Sequence, residues 1–249
     1  MKTRRKSPVN LITTDQNACS INLRLRILGR LPFFAGLSQK ALESINQRFN
    51  SIGYNAGEFI YFAGDVADKL FVVAEGKIKI FQHGSNGRNV MLDILAEGDF
   101  FGNLTVLGAS NYPDTTQALT STCVLCIQSD GFGQILNDYP RLAIKTIQVV
   151  EKRLIAANQR VFKISSLTVE KRIAFTLLEL GQKLGVQKDN SLLIDAPISR
   201  DDLAEMTAAT AETVSRVMSQ FQSNGIIESG RLWVSIINME ALRDLSKME

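Results

Sequence analysis

The sequence predicts an α+β chain in three successive parts, and three observations carry that reading. Residues 54–127 hold short β-rich runs separated by glycine. Residues 140–164 carry an apolar seam with a 3.5-residue repeat. Residues 198–227, ISRDDLAEMTAATAETVSRVMSQFQSNGII, read as two short amphipathic helices joined by a tight turn, with a hairpin following. The partition that results is a basic tail over 1–20, an antiparallel β domain over 21–139, a dimerisation helix over 140–166 and a winged helix-turn-helix over 167–249.

The N-terminal MKTRRKSPVNLITTDQNACS is basic but lacks the apolar core of a secretory signal, so Lys2, Arg4, Arg5 and Lys6 read as a disordered tail. Residues 24–50 are helical in pattern, with LRLRIL, a break near Leu31-Pro32 and a second start capped by Ser38. The β-rich runs follow: EFIYFAG, KLFVVAEGKIKIFQHG, NVMLDILAEGDFFG and CVLCI. Gly57, Gly64, Gly76, Gly84, Gly87, Gly98 and Gly102 fall between them, and Asp65, Asp68, Asn86 and Asp99 add turn chemistry. This spacing predicts an antiparallel sandwich or barrel of short strands.

In the helix from about Pro140 to Ile164, the residues Ile147, Val150, Leu154, Ala157, Val161 and Ile164 recur at intervals of 3, 4, 3, 4 and 3. That is an a/d seam, and it predicts a homodimer through a two-chain coiled coil. Asn158, beside Ala157, is either a register-setting residue or an exposed polar one.

The last part opens with a helix, VEKRIAFTLLELGQKLG. In the two-helix unit, Ser199 is a natural N-cap followed by Asp201 and Asp202, where the helix dipole favours negative charge, and Thr210 caps the second helix. Ile198, Leu203 and Met206 suit the buried side of the first helix, as do Val214, Val217, Met218 and Phe221 for the second. Between them the second helix exposes Glu212, Thr213, Ser215 and Arg216 from its N-terminal half, the half of a recognition helix that enters the major groove. Thr210 and Arg200 complete the candidate DNA-facing set. IIESGRLWVSII reads as a β-hairpin wing turning at Ser229-Gly230, with Trp233 packing the wing onto the helices or, alternatively, stacking on a base.

Composition sets limits on these readings. The 249 residues are 45% hydrophobic and 21% charged, an ordinary globular balance. The net charge of +3 is unevenly spread: residues 1–166 hold 19 Lys+Arg against 13 Asp+Glu, and 167–249 hold 9 against 12. Phosphate contacts must therefore come from a few placed groups rather than a basic field. The acid excess favours an alternative, a ligand-binding or scaffold protein whose C-terminal helices mediate protein contacts. No apolar run is long enough for a membrane span, so a cytoplasmic protein is expected, and three cysteines fit a reducing compartment. One histidine, no acid pair, no nucleophile motif and no phosphate-binding glycine loop argue against an enzyme.

The order of these parts resembles the Crp/Fnr family of bacterial transcription regulators over residues 25–245. GD-x-AD-x-LFVV-x-EG-x-IKI and EGDFFG are similar to its cyclic-nucleotide-binding-type β-roll, and SRDDLAEMTAATAETVSRVMSQFQSNGII to its helix-turn-helix. Glu212, Ser215 and Arg216 match the Glu-x-x-Ser-Arg of the Fnr-like branch, and YPDTTQAL resembles the Fnr and nitric-oxide-responsive branches. The resemblance implies a TTGAT-like half-site repeated as a palindrome, with RNA polymerase as a partner. Arg216 would donate to guanine O6 and N7, Glu212 would accept from a cytosine amino group, and Ser215 would address a base edge or phosphate. A surface ion pair between Glu212 and Arg216 is the alternative.

The resemblance also bears on the signal. Cyclic-AMP-binding members carry a glutamate after FG and an Arg-Ser or Arg-Thr pair further on. Here Asn103 and Tyr112-Pro113 stand at those positions, so a buried cyclic phosphate would lack its cation, and the usual mode of cyclic-AMP binding is not expected. Gly102, Asn103, Leu104, Tyr112, Thr115 and Thr116 are the candidate effector-pocket residues. Iron–sulfur members need four cysteines, three of them clustered near the N-terminus, where this chain has only Cys19. A [4Fe–4S] cluster is therefore not expected. Cys123 and Cys126 point to opposite faces of a strand and read as buried small hydrophobes. Haem stays open: His83 lies in an apparent turn, Met, Cys or Tyr could also ligate, and no motif selects one. The effector, a small molecule or a gas, is unassigned.

Overall fold

The computed structural model describes residues 19–84 and 87–247. The basic cluster from Lys2 to Lys6 and the turn residue Asn86 lie outside the described residues. The described residues form two compact bodies, one holding residues 19–83 and Leu92–Ala157, the other Gly84–Met91 and the residues from Asn158 onward, so that the longest helix is divided between Ala157 and Asn158.

The first body begins with α1 (Ile21–Arg30), capped by Ser20, whose hydroxyl accepts from the Leu23 amide. A turn leads to α2 (Gln39–Asn46), which Ser38 caps through the Ala41 amide. The β-roll then runs β1 (Asn50–Tyr54), β2 (Phe59–Tyr61), β3 (Lys69–Glu75), β4 (Ile78–His83), β5 (Asn89–Leu95), β6 (Phe100–Phe101), β7 (Thr115–Ala118) and β8 (Thr122–Gln128). One sheet has the order β1-β8-β3-β6 and the other β2-β7-β4-β5, and β1–β8, β8–β3, β3–β6, β2–β7 and β7–β4 all pair antiparallel. Strands β1 and β7, NSIGY and TTQA, escape the sequence reading because neither carries an apolar run. Two helices close the body: α3 (Ser129–Asp138), which sequence reading also missed, and α4 (Arg141–Ser166).

Strands β3 and β8 are apolar on both faces because each face has its own core. Leu70, Val72, Ala74, Cys123, Leu125 and Ile127 join Ile27, Leu28, Phe33, Phe132 and Leu142 in one cluster. Phe71, Val73, Val124 and Cys126 join Tyr61, Phe101 and Tyr112 in the other. The period-2 pleat thus places Cys123 and Cys126 in different cores. Cys126 is a buried free thiol, but Cys123 is not a small hydrophobe, because it is disulfide-bonded to Cys19. Spacing along one chain cannot signal a pairing across 104 residues.

The second body follows α4 with α5 (Val169–Leu184), the hairpin β9 (Gly185–Lys188) and β10 (Ser191–Ile194), α6 (Arg200–Thr207), α7 (Ala211–Ser223), the hairpin β11 (Ile227–Gly230) and β12 (Trp233–Ile236), and α8 (Met239–Ser246). The four strands make one sheet of order β11-β12-β10-β9. The β9–β10 hairpin turns at Asp189-Asn190, where Asp189 has φ 50°, a turn chemistry that could have been read from the sequence. The wing turns at Arg231-Leu232, not at Ser229-Gly230. Gly230 serves a different need: a Cβ there would sit 2.3 Å from the Trp233 indole nitrogen, so only glycine lets the indole lie across the strand.

Candidate nucleic-acid interface

Helix α6 starts with a full capping box. The Ser199 hydroxyl accepts from the Asp202 amide, and the Asp202 carboxylate accepts from the Ser199 amide. Its C-cap Ala208 adopts the left-handed region at φ 49°, which turns the chain sharply into α7. Thr210 caps α7 by accepting from the Thr213 amide, and the two hydroxyls lie 2.9 Å apart. Val214, Val217, Met218 and Phe221 are all buried. That buried stripe fixes the rotation of α7, because side chains three and four apart share a face.

The opposite face is free for a ligand. Glu212, Ser215 and Arg216 are exposed, and Thr213 is half-buried. Among the described residues, Glu212 and Arg216 form no ion pair with each other. Arg200 has a different local role: half-buried, it donates to the Ser229 hydroxyl at 2.8 Å, and Ser229 in turn donates to Gln222. This chain of bonds joins the start of α6, the wing strand β11 and the end of α7. Burial pulls the Arg200 pKa down from its ordinary value. Trp233 is buried against Leu193 of β10, which makes it a packing residue of the winged body.

The six effector candidates do not all face one chamber. Gly102, at φ 86°, lies against the Lys69 carbonyl and the Tyr112 ring, and a Cβ there would stand 2.8 Å from that carbonyl. The Tyr112 hydroxyl accepts from the Lys69 amide and donates to the Lys69 carbonyl, each at 3.0 Å. Leu104 belongs to the other core cluster. Thr115 and Thr116 are buried on β7, where the Thr115 hydroxyl accepts from the Ala63 amide. Asn103 is half-buried.

Sequence reasoning missed what fills the roll interior, a set of aromatic rings. Tyr61 stacks on Tyr112 with centroids 3.8 Å apart, and Phe71 stacks on Phe101 at 5.1 Å. The Tyr61 hydroxyl donates to Asp114. Burial pushes the Tyr112 phenol up to about 12, and it also raises the Asp114 carboxyl above its ordinary value, opposed by the Tyr61 bond. His83 is exposed at the end of β4, edge-on to Phe81. Among the described residues, no three His, Cys, Asp or Glu side chains gather as a metal site.

With this geometry, the match to known families is consistent along the chain. Residues 52–139 match the cyclic nucleotide-binding domain, and residues 171–245 match the Crp-like helix-turn-helix domain. The chain belongs to the Crp/Fnr family of transcription regulators, with a DNA-binding helix-turn-helix. It is 24% identical over 216 residues to the CRP-like cAMP-activated global transcriptional regulator of Mycobacterium tuberculosis, covering 87% of this chain and 96% of that one. It is 25% identical over 198 residues to the transcriptional activator FnrA of Stutzerimonas stutzeri, covering 80% of each. In fold it is similar to FixK2 from Bradyrhizobium japonicum, with TM-score 0.72, 23% identity, and 81% and 98% of the two chains covered.

Proposed function

We propose that this chain is a homodimeric regulator that binds a TTGAT-like palindrome through α7 and answers to a signal in its β-roll. The observation that carries the reading is the amphipathic rotation of α7. Four apolar residues bury one side, and Glu212, Ser215 and Arg216 stand unpaired with one another on the other. Arg216 reads guanine, Glu212 reads cytosine, and Ser215 addresses a base edge or phosphate. Thr210 and Thr213 lie at the helix start, and Arg200 supports the wing beside them. RNA polymerase is the partner that the family implies.

Dimerisation runs through α4. Ile147, Val150, Leu154, Val161 and Ile164 are exposed apolar residues in the single chain, on the same seam as Ala157. Burying them against a second copy removes that surface from water and sets two α7 helices for successive major grooves. The β-roll signal is not cyclic AMP in its usual mode: Asn103 and Tyr112 carry no charge for a phosphate, and aromatic rings occupy the interior. It is not a [4Fe–4S] cluster either. A small molecule, a gas or a haem-bound gas remains the effector class, and the protein is a cytoplasmic regulator rather than an enzyme. Among the described residues, no helix is long and apolar enough to cross a membrane.

The test is fluorescence anisotropy with a TTGAT-N4-ATCAA duplex against a scrambled duplex. Specific binding that the Arg216→Ala variant loses supports the reading. Equal binding to both duplexes by both proteins would sink it in favour of the protein-contact alternative, which the acid excess of residues 167–249 favours.

A further inference from the structure

Cys19 and Cys123 are bridged with their Cα atoms 6.6 Å apart, a separation that a disulfide spans without backbone movement. Cys19 immediately precedes Ser20, the N-cap of α1. Cys123 lies on β8, which is paired on both sides, with β1 and with β3. The bridge therefore ties the start of the first helix to an interior strand. Both cysteines belong to the core cluster that holds Ile27 and Leu28 of α1 and Leu142 of α4, and Val149 of α4 packs against it. The third thiol, Cys126, faces the other core. Burial raises its pKa, which keeps it protonated and poorly nucleophilic.

We propose that Cys19 and Cys123 form a reversible thiol–disulfide site that anchors α1 to β8 when oxidised and releases it when reduced. The redox role rests on the cytoplasmic reading above, because disulfides in a reducing compartment are characteristically transient or redox-sensing. The oxidant class is a low-molecular-weight disulfide. One protein thiolate attacks it, forms a mixed disulfide and expels one small thiol. The second protein thiolate then attacks the protein sulfur of that mixed disulfide and expels the other small thiol. Two electrons pass to the small disulfide, and the two protein protons end on the two thiols released. Reduction reverses both exchanges. Cys19 is 9% exposed against 3% for Cys123, so Cys19 is the sulfur that an incoming thiolate reaches first.

The experiment equilibrates the full-length protein in glutathione buffers running from fully reduced to fully oxidised, alkylates free thiols with excess iodoacetamide in denaturant so that buried thiols also react, and counts and maps them by mass spectrometry. The expected result is one two-electron transition, from three alkylated cysteines to Cys126 alone, with a Cys19–Cys123 cross-linked peptide that dithiothreitol reopens in the native protein. Amides of α1 should exchange hydrogen faster in the reduced form. Cys19→Ser and Cys123→Ser should each abolish the redox dependence of that exchange, and Cys126→Ser should keep it. Three free thiols at the oxidised end would overturn the proposal, as would a cross-link through Cys126 or between chains, a bridge that dithiothreitol cannot open, or identical α1 exchange in both states. None of these readouts uses DNA. Absence of TTGAT binding would sink the promoter-reading proposal alone, and the thiol map would still decide this one.

Discussion

Arg216 concentrates the specificity proposed for α7, since a bidentate guanidinium–guanine contact is the strongest base-reading pair in the set. Arg216→Ala should weaken binding to the TTGAT duplex by about 1–3 kcal/mol, roughly 5- to 150-fold, with less effect on scrambled DNA. A uniform loss on both duplexes would reassign Arg216 to phosphate contact. Asp114 offers a second test at this scale. Its carboxyl pKa is raised mainly by burial, so the unfolded chain ionises there before the folded one. Stability tied to this group is fully present below the ordinary aspartate value and is lost as pH rises through the raised one. Asp114→Asn retains an acceptor for the Tyr61 hydroxyl and avoids the buried charge. In thermal melts it should exceed the wild type at neutral pH and converge with it at about pH 3. A gap that does not change with pH would remove burial of the charge as the cause.

At the level of elements, the turn between α6 and α7 carries a local cost. Ala208 holds φ 49° while exposed at the helix C-cap, a conformation that costs an L-residue about 1–2 kcal/mol. Ala208→Gly relieves it at some entropic cost in the unfolded chain, so a net gain of about 0.5 kcal/mol is expected in chemical denaturation. A loss of stability would show that the Ala208 methyl makes contacts worth more than the strain. The wing gives the opposite case. Gly230→Val drives a side chain into the Trp233 indole and should destabilise the winged body by about 1–3 kcal/mol. The clearest elements in the sequence were those with caps and long periodicity: α2 behind Ser38, α6 behind Ser199 and α7 behind Thr210. Those it concealed were short or polar, such as β1, β7 and α8. Their structure depends on partners distant in sequence, which no local pattern encodes.

Across the whole molecule, α4 joins the two bodies and carries the proposed interface. On the roll side, Arg153 sets its guanidinium 3.4 Å from the Phe100 ring centroid and donates to the Phe100 carbonyl. Beyond the division, Lys163 lies over the Phe175 ring of α5 at 3.3 Å, and Arg160 pairs with Glu179 at 3.8 Å. A signal that shifts the roll against α4 would reach the seam through the first set of contacts. A ligand can do this only through different affinity for two dimer arrangements. Leu154→Asp with Val161→Asp should yield a monomer by analytical ultracentrifugation and cut specific DNA affinity at least tenfold. Unchanged DNA affinity in a proven monomer would break the proposed coupling between seam and recognition helix.

The sequence by itself determined the two-helix unit over residues 198–227, its caps, its buried stripe and the seam of α4. Each is a local periodicity or a capping pair, written within a few turns of chain. Tertiary structure decided what local pattern could not. It turned the wing at Arg231-Leu232, which sets Gly230 opposite Trp233, where a side chain would meet the indole. It committed Arg200 to Ser229, filled the roll with Tyr61, Phe71, Phe101 and Tyr112, and brought Cys19 to Cys123. These outcomes depend on which distant side chains share a core, and only the closed fold specifies that.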